Sequence, residues 1–120
     1  MRNRQPETGV INKEEQIKKA ELLRALHHAE EPLVLPNIWD AGSAVLAANA
    51  GFPVIATASA SVAWALGRPD GEKLDRGEML EAVGRIATRV RLPLTADIES
   101  GYGTTPTDVA ETVSKTLKAG

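Results

Sequence analysis

Two carboxylates, Asp97 and Glu99, follow a short apolar run in the segment TADIESGYG at residues 95–103. Burying a carboxylate at the end of a strand is costly unless it is paired or bound to a metal. Two neighbouring carboxylates also repel each other unless a cation lies near them. Oxygen ligands without a nearby His or Cys suit Mg²⁺, which takes one or two carboxylates plus waters and substrate oxygens. Because Gly101 and Gly103 let the backbone turn sharply here, the segment predicts a magnesium site in a tight loop.

Two other ligand-binding motifs do not fit the same segment. A calcium-binding loop requires glycine at its sixth position and glutamate at its twelfth, and counting from Asp97 these positions hold Tyr102 and Asp108. A dinucleotide-binding fingerprint requires G-x-G-x-x-G after a strand, and GYGTTP lacks the third glycine. The glycines therefore do not indicate a nucleotide site.

Polar residues also follow the other apolar runs of the chain. Ligands of α/β proteins lie at the carboxyl ends of the strands, so these residues are candidates for the same site. Each has a structural alternative, since an aspartate or serine can cap a helix and an aspartate before glycine is an ordinary turn pair. The candidates are Asn37, Trp39 and Asp40 after the first run, Thr57, Ser59 and Ser61 after the second, and Asp70 in the loop GRPDGE.

The elements that must position these residues are read from hydrophobic periodicity and capping signals. Apolar strands are predicted at residues 32–37, 52–59 and 92–97, and helices at residues 12–31, 40–51, 60–67, 74–90 and 106–120. The first helix carries an apolar stripe, and three helices begin with capping-box signals. The stripe is Ile17, Ala20, Leu23 and Leu26, and the capping pairs are Asn12 with Glu15, Asp75 with Glu78 and Thr105 with Asp108.

Apolar strands that alternate with amphipathic helices indicate βαβ units and a parallel sheet. A closed (β/α)8 barrel needs eight strands and at least ~200 residues, so this chain holds too few strands for one. We expect an α/β fold of about three βα units plus a leading helix, cut short before a fourth strand. Residues 1–11 are expected to be a disordered N-terminal segment, and residues 12–120 to form one partial domain.

The bulk composition argues against several classes of protein. The net charge is -2 and the basic residues are scattered, which disfavours a nucleic-acid or anionic-membrane partner. The 120 residues contain no cysteine, which excludes disulfides, thiolate metal sites and a cysteine nucleophile within them. We see no secretory signal, and no apolar run approaches the roughly 18 residues of a membrane span. We therefore expect a cytoplasmic protein.

Four blocks of the sequence resemble, in order and spacing, the isocitrate lyase/phosphoenolpyruvate mutase family. The blocks are LPNIWDAGSA, GFPVIATASASVAWALGRPDGE, LPLTADIESGYG and TVSKTLKAG, and the match runs from about Leu33 to Gly120. The resemblance implies a (β/α)8 TIM barrel, of which this chain is the N-terminal portion, in a dimer or tetramer that swaps a helix between subunits. It also implies Mg²⁺ (or Mn²⁺) and a small 2-oxo or 2-hydroxy carboxylate, whose C–C or C–P bond is broken or rearranged through a metal-stabilised enolate.

The resemblance also assigns roles to individual residues. Asp97 and Glu99 occupy the two acidic places of the family's metal-binding D-x-D-x-G-[YF]-G block, here with glutamate in the second place. Asp70 matches the aspartate of the family's G-x-P-D loop beside the metal. The implied metal residues are therefore Asp97, Glu99 and Asp70, with Asp70 and Asp97 also catalytic. The stretch that holds the substrate carboxylate corresponds to Thr57, Ala58 and Ser59.

By this resemblance the intact protein is an enzyme, a carbon–carbon lyase or phosphonomutase-like protein. In lyase members a mobile loop after the fourth strand supplies the proton donor or acceptor, and that loop lies beyond these 120 residues. We therefore expect the chain alone to be inactive. Two alternatives stay open: a truncated, non-catalytic fragment that serves as an interaction module, and a small α/β domain that binds metal without turnover.

Overall fold

The structure, a computed structural model, describes residues 12–120. The segment predicted to be disordered, residues 1–11, lies outside the described residues. The predicted α/β class is confirmed, with a leading helix and three βα units. In chain order the elements are α1 (Lys13–His27), β1 (Asn37–Ile38), α2 (Ala41–Asn49), β2 (Ile55–Thr57), α3 (Ser59–Ala65), α4 (Arg76–Ala87), β3 (Leu94–Thr95) and α5 (Pro106–Ala119).

The three strands form one parallel sheet in the order β1-β2-β3. Ile38 pairs with Thr57, and Ala56 pairs with Thr95. Because parallel strands end at the same edge of a sheet, the residues that follow β2 and β3 are neighbours in space. Ser59 and Asp97, each two residues beyond its strand, are brought together by this register.

The strands are shorter than the sequence predicts. β1 was expected at residues 32–37 but covers only Asn37–Ile38, since Pro32 and Pro36 have no N–H to donate to a ladder. Carbonyl oxygens still extend the pairing: Ala56 N–H donates to Pro36 O at 3.1 Å, and Ile55 N–H donates to Pro93 O at 3.1 Å. The prolines therefore shorten the strands without changing their order.

Two clusters of buried aliphatic side chains hold the elements together. The first joins the sheet to α2 and α4, and the second lies between α3 and α4 with Tyr102 packed against it. Helix α4 supplies side chains to both clusters, and the contact with Tyr102 anchors the loop after β3 to the core. The first cluster is Ile38, Ala44, Ala47, Ile55, Ile86 and Val90, and the second is Val62, Leu74, Met79 and Ala82.

The helix starts follow the predicted capping chemistry, with one difference. Reciprocal capping boxes form at Asp75 with Glu78 and at Thr105 with Asp108, and Asp40 caps α2 by accepting from Ser43 N–H at 2.7 Å. At α1 the Asn12 side chain accepts from the N–H of residue 14 at 3.0 Å, and no capping box with the glutamate at residue 15 forms. Asp40 is thus accounted for by its role as a cap.

Helix α1 does not bury its apolar stripe against the described chain. No residue of α1 is buried, and Ile17 is 48% exposed. The Gln16 side chain contacts the last helix, since its Nε2 donates to Leu117 O at 2.7 Å. Within residues 12–120, none of the helices combines the length and apolarity needed to cross a membrane.

Candidate functional site

The carboxylate of Asp97 lies just beyond β3, where the first residue of α3 and the loop that contains Asp97 both donate hydrogen bonds to it. Ser59 donates to Oδ2 twice, from its N–H at 3.1 Å and from its hydroxyl at 2.8 Å. Glu99 N–H donates to Oδ1 at 3.0 Å. The Asp97 N–H donates in turn to Thr57 Oγ1 at 2.9 Å. The side chain is therefore held in one orientation at the carboxyl edge of the sheet.

These contacts keep Asp97 ionised. Burial by itself would raise the pKa of this carboxyl, but the N–H of Glu99 and the hydroxyl and N–H of Ser59 outweigh it, so the pKa of Asp97 lies below its usual value of 3.8. Hydrogen bonds to the charged form of an acid favour that form. At neutral pH the edge of the sheet therefore presents a fixed negative charge that remains accessible to solvent.

The stretch predicted to hold a substrate carboxylate lies directly beside Asp97. Thr57 ends β2 and is 4% exposed, Ala58 is the extended N-cap residue of α3, and Ser59 is the first residue of that helix. The Ser59 hydroxyl proton is directed to Asp97, whereas the Thr57 hydroxyl accepts from Asp97 and keeps its own proton to donate. Sequence reasoning did not foresee that both side chains would hold Asp97, since the two segments lie 38 to 40 residues apart.

The side chain of Glu99, the second predicted metal residue, contacts the loop that contains Glu72. Its Oε2 accepts from the N–H of Glu72. Its Oε1 is buried and has no hydrogen-bond partner among residues 12–120. Burying a carboxylate oxygen without a partner is unfavourable in free energy, and a hydrogen-bond donor or a bound cation would offset that cost. The hydroxyl of Tyr102 is also buried without a partner in the same part of the chain.

The environment of Tyr102 is negative and partly buried. Burial first, and then the charges of Glu99 and Glu72, raise the pKa of Tyr102 to about 12. The phenol is therefore neutral at physiological pH and keeps a proton that it can donate. This places a neutral hydroxyl, rather than a second anion, close to Glu99.

Glu72 is the residue of this region that sequence reasoning missed. Its Oε1 accepts from Ser100 N–H at 3.1 Å and also from the Ser100 hydroxyl. The Ser100 hydroxyl bond is the main reason that the pKa of Glu72 lies below its usual value. The only sequence signal was its place directly after the Asp70–Gly71 turn, because nothing in the spacing indicates a partner 28 residues away.

Asp70 lies in the exposed loop between α3 and α4. Its Oδ1 accepts from Gly71 N–H at 2.8 Å, which is the turn geometry considered as the alternative to a metal role. The loop meets the Glu99 segment through Glu72 rather than through Asp70. Within residues 12–120, no group of three or more His, Cys, Asp or Glu side chains is arranged to hold a metal ion.

The carboxylate oxygens at this edge of the sheet are nevertheless suitable ligands for a hard divalent cation that keeps much of its water. All are oxygen atoms, Asp97 is ionised, and Glu99 Oε1 has no hydrogen-bond partner within residues 12–120. Asp97 Oδ1 accepts one hydrogen bond, which leaves a lone pair, since each carboxylate oxygen accepts about two. Mg²⁺ is commonly bound by one or two carboxylates with waters and substrate oxygens, without a closed protein cage.

The two glycines shape the turn that separates β3 from α5. Gly101 has a φ of +94°, which disfavours any side chain there. At Gly103 an added Cβ would lie 2.1 Å from the Cβ of Asp108 in the first turn of α5. The sharp turn agrees with the sequence pattern, and at Gly103 the loop also passes so close to α5 that a side chain would collide with the helix.

The sequence profile described as phosphoenolpyruvate phosphomutase matches residues 23–120 of this chain. The chain is 35% identical over 98 residues to 2-methylisocitrate lyase of Escherichia coli, covering 81% of this chain and 33% of the relative. It is 34% identical over 98 residues to oxaloacetate decarboxylase of Chromohalobacter salexigens, covering 81% of this chain and 34% of the relative. The chain thus spans about a third of the length of the curated relatives it matches.

Solved structures agree with the sequence comparison. A crystal structure from Burkholderia cenocepacia, of a protein provisionally assigned as a phosphonomutase, superposes with a TM-score of 0.83 at 50% identity. That match covers 86% of this chain and 42% of the other. Oxaloacetate acetylhydrolase superposes with a TM-score of 0.75 at 32% identity, over 84% of this chain and 36% of the other. The fold thus matches the N-terminal part of TIM-barrel-like structures, and the prediction of a barrel portion is confirmed.

Proposed function

We propose, from the premise that this chain belongs to the phosphoenolpyruvate mutase/isocitrate lyase family, that it forms the metal- and carboxylate-binding part of a Mg²⁺-dependent enzyme. The enzyme breaks or rearranges a C–C or C–P bond of a small 2-oxo or 2-hydroxy carboxylate in the cytoplasm. One observation carries the proposal: an ionised Asp97, held by three donated hydrogen bonds, lies at the carboxyl edge of a parallel sheet. Ligands of barrel folds bind at that edge.

In this proposal Asp97 and Glu99 hold the cation, and Asp70 approaches it from the neighbouring loop. Bound Mg²⁺ (or Mn²⁺) would supply a Lewis acid that stabilises negative charge developing on a substrate oxygen. Ser59 fixes the orientation of Asp97 through its hydroxyl and N–H, so that little reorganisation is needed during the reaction. The arrangement is consistent with Asp97 acting as an anion throughout, since its pKa is lowered.

The substrate carboxylate is proposed to bind along Thr57, Ala58 and Ser59. Thr57 is the best placed of the three side chains, because its hydroxyl proton is not directed to Asp97. Ala58 offers only backbone groups, and Ser59 contributes mainly by holding Asp97. The printed names of two relatives, a methylisocitrate lyase and an oxaloacetate decarboxylase, support a small carboxylate as the substrate class.

A second candidate is a non-catalytic fragment that acts as an interaction module or binds metal without turnover. One observation favours it: large apolar side chains are exposed on α2 and α3, among them Leu46 at 71% and Trp64 at 65%. In the enzyme these apolar surfaces would be covered by the rest of the barrel or by other subunits of a dimer or tetramer.

The experiment is an activity assay of the protein expressed from its native reading frame, with Mg²⁺ and a panel of 2-oxo acids, methylisocitrate and phosphonopyruvate. Turnover of any member that Asp97→Ala abolishes would support the enzyme, because that variant removes the carboxylate placed at the metal. Glu81→Gln is the matched control, since it neutralises an exposed carboxylate on α4 whose partner is Arg85. Full activity in Asp97→Ala would refute the metal assignment, and no turnover of any compound would favour the second candidate.

A further inference from the structure

We propose that Glu72 is a positioning residue, whose side chain and backbone clasp the turn at Glu99–Tyr102 and aim the free Glu99 oxygen at the cation. The inference rests on the proposed function for its purpose, but the clasp itself is defined by contacts within the chain. The hydrogen bonds of Glu72 go to the turn at Glu99–Tyr102. Glu72 therefore acts on the site through that turn.

The clasp is reciprocal between two loops. Glu72 Oε1 accepts from Ser100 N–H at 3.1 Å and from the Ser100 hydroxyl, and the Glu72 N–H donates to Glu99 Oε2. Each loop thus supplies both a carboxylate acceptor and a backbone donor. Charge-assisted hydrogen bonds of this kind are stronger than neutral ones, so two segments 27 to 28 residues apart are tied at their tips.

The backbone at the clasp is held in a conformation that these residues rarely adopt. Within residues 12–120, three non-glycine residues have a left-handed φ: Glu72 at 54°, Glu99 at 52° and Tyr102 at 55°. All three lie in or beside the clasp. Such conformations persist only where surrounding contacts over-determine them, and they cluster at functional sites. The hydrogen bonds between the two loops are the contacts that hold these residues in this conformation.

The consequence for the site is the direction of the Glu99 carboxylate. Because Oε2 is engaged by Glu72, Oε1 stays in a buried position with no partner among the described residues. Without the clasp a carboxylate would turn both oxygens to water, since leaving one buried and unpaired is unfavourable. Glu72 therefore keeps Glu99 Oε1 available for a cation, while its own Oε1 accepts hydrogen bonds from Ser100.

The test measures Mn²⁺ affinity by paramagnetic resonance and the hydrogen-exchange rate of the Ser100 amide, in the protein from its native reading frame. Glu72→Gln keeps a carbonyl that accepts from Ser100, so its Mn²⁺ Kd is expected to stay within about threefold of wild type. Glu72→Ala is expected to raise the Kd about 10- to 100-fold, as loss of a residue that orients a metal ligand typically does. It is also expected to speed exchange of the Ser100 amide.

Two further variants keep the result interpretable. Ser100→Ala removes one donor from the opposite side of the clasp and is expected to raise the Mn²⁺ Kd by less than Glu72→Ala does. This variant tests the clasp even if Glu72→Ala folds poorly. Glu81→Gln, which neutralises a carboxylate on α4 away from the clasp, is expected to change neither readout.

Three results would overturn the clasp: equal Mn²⁺ affinity in Glu72→Ala and wild type, an unchanged Ser100 exchange rate in Glu72→Ala, or a loss in Glu72→Gln as large as in Glu72→Ala. The last result would make Glu72 a direct ligand, because an amide is a much poorer ligand than a carboxylate. If the wild-type protein binds no Mn²⁺, the proposed function fails, and the Ser100 exchange rate alone then upholds or overturns the clasp.

Discussion

Replacing Gly103 by alanine is expected to destabilise the fold, because the loop after β3 passes against the first turn of α5. An added Cβ would lie 2.1 Å from the Cβ of Asp108, whereas carbon atoms in contact are about 3.5–4.0 Å apart. Asp108 cannot move its Cβ by rotating its side chain, since that atom is fixed by the helix backbone. The loop or the start of α5 must therefore shift by more than an ångström, which is roughly the difference between these separations.

The cost follows from what that shift disturbs. Forcing a methyl group into a packed position costs about 1–3 kcal/mol, and losing the capping box of Thr105 with Asp108 costs about 1 kcal/mol more. Reduced freedom of the unfolded chain offsets about 0.4–1 kcal/mol. The expected loss in the free energy of unfolding is about 1–3.6 kcal/mol, or a Tm lower by roughly 4–14 °C.

Thermal unfolding followed by circular dichroism measures this loss, with Gly42→Ala as the matched control. Gly42 lies in the first turn of α2, where an added Cβ would be 3.5 Å from an oxygen of Asp40, an ordinary contact. Neither glycine has a left-handed φ, so the pair separates crowding from backbone conformation. Gly42→Ala is expected to be neutral or stabilising by up to about 1 kcal/mol. Equal Tm values for the two variants would refute the reasoning.

Two further predictions concern the hydrogen bonds around Asp97. Ser59→Ala removes the hydroxyl that donates to Oδ2 at 2.8 Å, so the pKa of Asp97 should rise toward its usual value in an NMR titration; an unchanged pKa would contradict the assigned contact. Because the folded-state pKa of Asp97 is lowered below 3.8, its contribution to stability is present above that value and is lost as the pH falls through the folded-state pKa. Because Ser59→Ala brings the folded-state pKa of Asp97 closer to its usual value, the free energy of unfolding of the variant should fall less than that of wild type as the pH is lowered. Thr57→Val leaves the Asp97 N–H without its acceptor and should lower the free energy of unfolding by about 1–3 kcal/mol in urea, whereas a loss as small as that of an exposed substitution would show that the bond matters little.

Much of the fold could be predicted because local chemistry specifies it. Helix starts depend on residues three positions apart, so Asp75 with Glu78 and Thr105 with Asp108 were identified from sequence and form capping boxes. The place of Asp97 was also predictable, since a polar residue directly after a buried parallel strand must lie at the carboxyl edge. The exposure of the α1 stripe was not predictable, because the pattern shows that the stripe is apolar but not whether another part of the protein covers it.

The contacts that define the site depend on chain segments that meet only after folding. Ser59 reaches Asp97 across 38 residues, and Glu72 reaches Ser100 across 28. No periodicity or motif spacing encodes such pairs. The sequence therefore predicts a site in the acidic loop and assigns Glu99 to the ion, but it does not indicate that Glu72 engages one of the Glu99 oxygens.

The most direct test of the account is a calorimetric titration of the protein with Mg²⁺ and Mn²⁺, comparing wild type with Asp97→Asn. The variant keeps the shape of the side chain but removes the charge that Ser59 and Glu99 orient. We expect wild type to bind a divalent cation and to gain about 2.7 kcal/mol in unfolding free energy at 100 times the Kd. Asp97→Asn is expected to bind at least about tenfold more weakly, with Glu81→Gln unchanged. Equal affinity in Asp97→Asn and wild type, or no binding by wild type, would contradict the central claim.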